Sequence, residues 1–208
     1  MTEFNIDSFD FIISDTHFNH NNIVDYCQRI GHDPRGHATD YDRHNQLMIE
    51  QWQRYVKPDS IILHLGDVAM GQKHLLPDIM KVLPGRKFLV KGNHDKWSTE
   101  LYESLGFEVI QPFMFEHMGW NIFFSHYPKR VLQRLEANVH GHIHNNAVDG
   151  LTRKHKNVSV EVMSYTPQNF RSIVEGVVWS SNADSSNNFN DSEWNTAPER
   201  INKSRKSR

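Results

Sequence analysis

The chain reads as a mixed α/β domain in which two β-sheets pack together with helices outside. Three observations predict this. Apolar runs of strand type alternate with helical stretches through the first half of the chain. The second half is rich in consecutive short strands. Five short polar clusters each follow one of those apolar runs, so they stand where strands exit and loops face a common crevice.

The first strand is expected over residues 9–14 and a helical stretch over 22–30. Residues 31–39 (GHDPRGHAT) are turn-rich. Thr39 or Asp40 can cap the next helix, because its side-chain oxygen accepts free N–H groups. Leu47, Ile49, Trp52, Tyr55 and Val56 form that helix's apolar stripe, and Pro58 stops it. A strand follows over 60–65, then a helix over 74–83 with Pro77 near its start and Pro84-Gly85 at its close. The next strand covers 87–91. Ser98 and Thr99 open a short helix that Gly106 closes. Short strands run from Phe107 to Phe124, and a short helix over 129–135 precedes a strand over 137–140. Strands near 158–163 and 172–180 finish the core. No repeat recurs at a fixed period. After Ser181 the chain turns Ser/Asn-rich and ends in a basic run, which reads as one domain over 1–180 and a disordered tail over 181–208.

A chain of 208 residues is long enough for one domain with a sizeable core. Its formal charge of −2 gives no overall pull toward DNA or a membrane surface. The single cysteine, Cys27, excludes an intramolecular disulfide and suits a reducing compartment. The start, MTEFNIDSFD, lacks the basic and apolar regions of a signal peptide, and no run approaches the roughly 18 apolar residues of a membrane span. A soluble, cytoplasmic protein with no membrane partner is expected.

The chemistry lies in the clusters. They are Asp15-Thr16-His17, Gly66-Asp67, Gly92-Asn93-His94-Asp95, Ser125-His126 and Gly141-His142-Ile143-His144. From Asp15 through Asp67, Asn93 and His126 to His142 the gaps are 52, 26, 33 and 16 residues. A local metal clip has short, regular gaps; these require the fold to assemble the site. Imidazole, carboxylate and amide oxygen without thiolate suit Mn, Fe, Zn, Ni or Co, with Mn favoured, and argue against a structural zinc site. Asp-x-His and His-x-His are expected to place both side chains on one edge of a strand end. So many polar positions exceed the needs of one tetrahedral ion, whereas two divalent ions sharing a carboxylate use them well. Two ions bring +4 and two aspartates return −2, leaving charge to hold hydroxide and a phosphate oxygen; ion-bound water ionises near pH 7 rather than at about 15.7.

Together these five clusters, in this order, resemble the calcineurin-like metallophosphoesterase superfamily, over about residues 9–166. The resemblance implies a four-layer αββα sandwich of two mixed β-sheets flanked by helices. It implies that Asp15, His17 and His144 bind a first metal ion, that Asp67 bridges, and that Asn93, His126 and His142 bind a second. His94 would contact the phosphate and assist the leaving oxygen, with Asp95 holding its imidazole. The sequence departs from many relatives after Gly66-Asp67, where Val68-Ala69-Met70-Gly71 stands in place of a further acidic or His residue. The extended first motif SDTHFNHNNIVDYC and the segment NVSVEVMSYTP are similar to small bacterial and phage-encoded members.

Beyond the clusters, His20 follows the first motif closely enough to reach the site as a substrate contact. His140 reads as a supporting residue at most, and His64, inside an apolar run, as a satisfied core residue. Lys91, Tyr127, Lys129, Arg35 and Arg43 are further phosphate contacts the sequence allows. The expected function is a dinuclear metal-dependent phosphoesterase acting on a phosphodiester of a small molecule or nucleotide. Two alternatives are a nucleic-acid-directed phosphodiesterase guided by the basic tail and a non-catalytic scaffold. The filled ligand positions oppose the scaffold.

Overall fold

The computed structural model describes residues 3–32, 40–71, 73–131 and 133–182, and every count below refers to these. The strands are β1 (Phe11–Ile13), β2 (Ile61–His64), β3 (Arg86–Val90), β4 (Phe107–Ile110), β5 (Phe113–His117), β6 (Trp120–Ser125), β7 (Glu136–His140), β8 (His155–Asn157) and β9 (Gln168–Asn169). The helices are α1 (Asn21–Tyr26), α2 (Tyr41–Tyr55), α3 (Leu76–Val82), α4 (Thr99–Ser104) and α5 (Phe170–Asn182).

Both sheets are mixed. The first has the order β4-β3-β2-β1-β9, parallel except for the β1–β9 pair. The second has the order β5-β6-β7-β8, parallel except for the β5–β6 pair. Alternation along the strands assigns the faces. Ile12, Leu63, Phe88 and Val90 join Phe115, Ile122, Phe124, Ala137 and Val139 in one buried cluster between the sheets, which α5 completes. Ile13, Ile62 and Leu89 point the other way, into a second cluster with Met48 and Trp52 of α2, Leu76 and Met80 of α3 and Tyr102 of α4. These are the two sheets flanked by helices that the resemblance implies. No helix among the described residues is long and apolar enough to cross a membrane.

Most expected elements stand within a residue or two of their places. Asp40 caps α2 by accepting the Arg43 N–H at 3.0 Å, and Ser98 caps α4 by accepting that of Leu101 at 3.3 Å. The α2 stripe is shifted. His44, Met48, Trp52 and Val56 are buried, whereas Tyr55 is exposed. The first helix ends at Tyr26 rather than near residue 30, because Gln28 takes a left-handed turn (φ 49°).

Three expectations fail. Residues 172–180 are helical, not a strand: Phe170, Ile173, Val174, Val177, Val178 and Ser181 are buried at helical spacing. No helix forms over 129–135 among the described residues, since the amides of Lys129 and Gln133 are taken by the side chains of Asn138 and Glu136. Residues 158–163 form only a bridge, Ser14 to Ser159, before Val162 and Met163 turn back onto Ser159 and Val160. Arg35, most of the turn-rich stretch and the tail from 183 onward lie outside the described residues.

Candidate metal centre

All five clusters leave the carboxyl ends of β1, β2, β3, β6 and β7, and the rim they share is crowded. A Cβ added at Gly92 would lie 2.2 Å from Asp67 Oδ1, and one at Gly141 would lie 2.3 Å from Asp15 Oδ2. Both positions therefore exclude a side chain. Five of the seven ligand candidates take left-handed backbone: Asp15 (φ 61°), His17 (49°), Asp67 (58°), His142 (71°) and His144 (53°). Asp and His tolerate this region better than most residues, at a cost of order 1–3 kcal/mol each. Asp15/His17 and His142/His144 therefore converge through tight left-handed turns and not through an extended strand edge.

The turns build two groups, each able to hold a metal ion. In the first, ligand atoms of Asp15, His17 and His144 lie within 4.8 Å of one another; in the second, those of Asp67, His126 and His142 do. Asn93 joins the second, its Oδ1 2.9 Å from both His126 Nε2 and His142 Nδ1. Asp15 ties the groups together, since its carboxylate accepts the His142 N–H at 3.0 Å and the Ser159 hydroxyl at 2.9 Å.

The donor chemistry fits a cation. Both ring nitrogens of His17 are buried without a hydrogen-bond partner. Burial, with Arg29 nearby, drives its pKa well below the usual value, so the ring is neutral and carries a free lone pair. The His126 Nδ1–H donates to Leu65 O at 2.8 Å, which turns Nε2 toward the oxygens of Asn93 and Asp67. A neutral ring would bring lone pairs together there; a proton or a metal ion relieves this. Burial opposes charge on His126, but its hydrogen bond to Asp67 and the Asp15 charge outweigh burial and raise its pKa. Burial likewise raises the Asp15 pKa, against the pull of His144 and His126.

Asp95 does not hold the His94 ring. Its Oδ2 accepts the amides of Asp67 (2.6 Å) and Gly92 (2.8 Å), and its Oδ1 accepts the amide of Val68 (3.1 Å) and the Tyr102 hydroxyl (2.9 Å). It clamps the second cluster to the third, while His94 Nδ1 has no hydrogen-bond partner. His94 itself faces the site, its ring centroid 5.3 Å from that of His17. His20 stands beside both, at 5.3 Å from His17 and 6.2 Å from His94. Burial lowers the His20 pKa to about 4, so the ring is neutral at pH 7.

The other candidates disperse. Lys91 donates to Trp97 O at 2.7 Å, and Lys129 lies over Phe123. Arg43 is exposed on α2. Tyr127 stays at the site, its ring 4.3 Å from that of His142. His140 bonds to Gly141 O and belongs to neither metal group. His64 accepts the Gly66 N–H and pairs with the Thr16 hydroxyl, as a satisfied core residue.

Sequence reasoning gives no role to Arg29, Glu161 or Ser159. Glu161 Oε1 lies 2.9 Å from His144 Nδ1 and pairs with the buried Arg29. Its one signal in the sequence is a lone carboxylate inside the apolar stretch VSVEVM. Cys27 also lies near His144 and Glu161.

No family model matches the chain. The solved structure of AQ665 from Aquifex aeolicus, a protein of unknown function, superposes with a TM-score of 0.58 at 27% identity, over 79% of this chain and 97% of that one. The nuclease MPE of Pseudomonas putida gives 0.42 at 17% identity, over 64% of this chain and 60% of that one. The uncharacterized protein MJ1445 of Methanocaldococcus jannaschii is 31% identical over 174 residues, which cover 79% of this chain and 89% of that protein. With that identity sustained over most of both sequences, the chain belongs to the family of MJ1445.

Proposed function

We propose that the protein is a dinuclear metal-dependent phosphoesterase acting on a phosphodiester of a small molecule or nucleotide. The observation that supports this most is one atom. Asp67 Oδ2 lies 3.5 Å from His17 Nε2 and 3.4 Å from His126 Nε2, so a single carboxylate oxygen faces both ligand groups. In this reading Asp15, His17 and His144 would hold one ion, Asn93, His126 and His142 would hold the other, and Asp67 would serve both. When bound, a pair of divalent cations acidifies water and withdraws charge from phosphoryl oxygens. Manganese is the favoured metal.

The chain's own residues supply the rest. The backbone N–H of His94 donates to Asp67 Oδ1 at 2.8 Å, which ties the main chain that carries the imidazole to the edge of the site. From there the imidazole gives a proton to the departing oxygen. His20, neutral at pH 7, hydrogen-bonds a phosphoryl oxygen. A small substrate suits a chain whose formal charge of −2 gives no overall pull toward nucleic acid. A cytoplasmic setting suits its single cysteine, Cys27, which has no intramolecular disulfide partner.

The test is release of p-nitrophenolate from bis- and mono-p-nitrophenyl phosphate with added Mn²⁺, alongside metal analysis of the purified chain. Two ions per chain and metal-dependent release are expected. His94→Ala should keep both ions yet slow turnover by about 10²–10⁴, and less for a good leaving group than for a poor one. Absence of both stoichiometric metal and metal-dependent release would end the proposal. Double occupancy retained in Asp67→Asn would contradict the shared carboxylate.

A further inference from the structure

We infer that Glu161, clasped by Arg29, is the positioning residue of the first metal group, setting the His144 ring and the Asp15–Thr16 backbone together. The inference rests on the dinuclear reading above. It starts from an asymmetry between the groups. In the second, the His126 ring is aimed by a main-chain carbonyl, that of Leu65 at 2.8 Å. In the first, the His144 ring is aimed by a side chain, since its Nδ1 lies 2.9 Å from Glu161 Oε1. A carboxylate can only accept, so Nδ1 carries the proton and Nε2 is left with its lone pair. That Nε2 lies 4.0 Å from Asp15 Oδ1, on the side where the group converges.

The same Glu161 oxygen is held by Arg29, at 2.9 Å from Nε and 2.5 Å from Nη2. The pair is buried, with side chains 0% and 3% exposed. Two further Arg29 donors reach the first motif, and Nη1 also lies 3.3 Å from His44 Nε2. Nη2 donates to Asp15 O at 2.8 Å and Nη1 to Thr16 O at 2.9 Å. These carbonyls belong to the turn whose left-handed Asp15 and His17 need holding. Residues 29 and 161 are 132 apart in sequence. The ion pair, between the segments after α1 and after β8, thus contacts the loops after both β1 and β7, while the second group relies on main-chain contacts and Asp95. The pair touches His144 and the Asp15–Thr16 backbone directly, and reaches the second group only through the Asp15 carboxylate that accepts the His142 N–H.

The full-length chain, stripped of metal, is titrated with Zn²⁺ while long-range ¹H–¹⁵N NMR follows the imidazole nitrogens. The rings of His17 and His144 report on one group, those of His126 and His142 on the other. In the metal-free wild type, His144 should carry its proton on Nδ1. In Glu161→Leu, paired with Arg29→Met so that no charge is left alone, Zn²⁺ affinity at the first group should fall about 10–100-fold, and at the second by less than about threefold. Glu161→Gln keeps an oxygen acceptor and should recover most of the loss. An Nε2–H tautomer of His144 in the wild type, or equal losses at both groups, would overturn the inference while leaving the dinuclear reading intact. No Zn²⁺ at either wild-type group would remove both. If the double variant does not fold, the Gln variant and the wild-type tautomer decide.

Discussion

Asp67 shows how the rim is held at the scale of single residues. Its carboxylate can face both ligand groups only because its own backbone sits in the left-handed region, φ 58°. Asp95 holds that turn by accepting the Asp67 and Gly92 amides with one oxygen. In Asp95→Asn an amide nitrogen would occupy one of the two oxygen positions and face an N–H or the Tyr102 hydroxyl. The variant should lose about 3 kcal/mol of stability, since hydrogen bonds to a charged acceptor are worth about 1.5–3 kcal/mol each. A lowered urea midpoint, with weaker metal binding at the second group, is the expected result; an unchanged midpoint would show the clamp to be dispensable. At this scale the convergence of Asp15, His17, Asp67, Asn93, His126, His142 and His144 was legible because such chemistry is confined to a few residue types at strand exits. The role of Asp95 was not, because adjacency in sequence said nothing about which way its carboxylate points. Arg29 and Glu161 were invisible for a related reason. Their meaning comes from a contact across 132 residues, and no local pattern marks it.

Among the secondary-structure elements, α5 shows where residue propensity misleads. Residues 172–180 (SIVEGVVWS) are dense in β-branched side chains, which favour strands. Tertiary burial overrides that preference, because Phe170, Ile173, Val174, Val177 and Val178 form one stripe on the inter-sheet cluster. The parallel strands of the first half were readable because each is a continuous apolar run closed by a Gly or polar exit, a pattern with no helical competitor of that length. Phe170 anchors the start of α5. It is fully buried, with ring centroids 5.1 Å from Phe9 and 5.3 Å from Phe124, so it binds the helix to both sheets. Phe170→Ala should cost about 3–5 kcal/mol through lost transfer energy and the cavity left behind. The denaturation midpoint measures it. A loss under about 1 kcal/mol would mean that α5 can detach without disturbing the sheets.

For the whole molecule, the concentration of histidines sets the response to acid. Among the described residues His17, His20, His44, His64, His140 and His142 have lowered pKa values, chiefly through burial. His126 and His144 are raised, because Asp67 and Glu161 outweigh burial. For a lowered histidine the unfolded chain takes up a proton that the folded chain refuses. Its stabilisation is complete above the unfolded value and is lost as pH falls. The two raised histidines act in the opposite sense, as do Asp15 and Asp95, whose burial raises them. Six lowered rings against two raised ones give a metal-free fold that weakens as pH drops from about 6.5 toward 4. His64 isolates the effect. Its pKa is lowered to about 3, chiefly by burial, and it belongs to neither metal group, accepting the Gly66 N–H on Nδ1 at 3.1 Å, with Nε2 3.0 Å from the Thr16 hydroxyl. His64→Leu should therefore lower stability at pH 8, through the lost hydrogen bonds, and also flatten the decline between pH 6.5 and 4, because one proton is no longer refused. Thermal midpoints of the metal-free wild type and variant across that range measure both effects. Parallel curves would show that His64 is protonated in the folded state as readily as in the unfolded chain, and that acid acts on this fold through other groups.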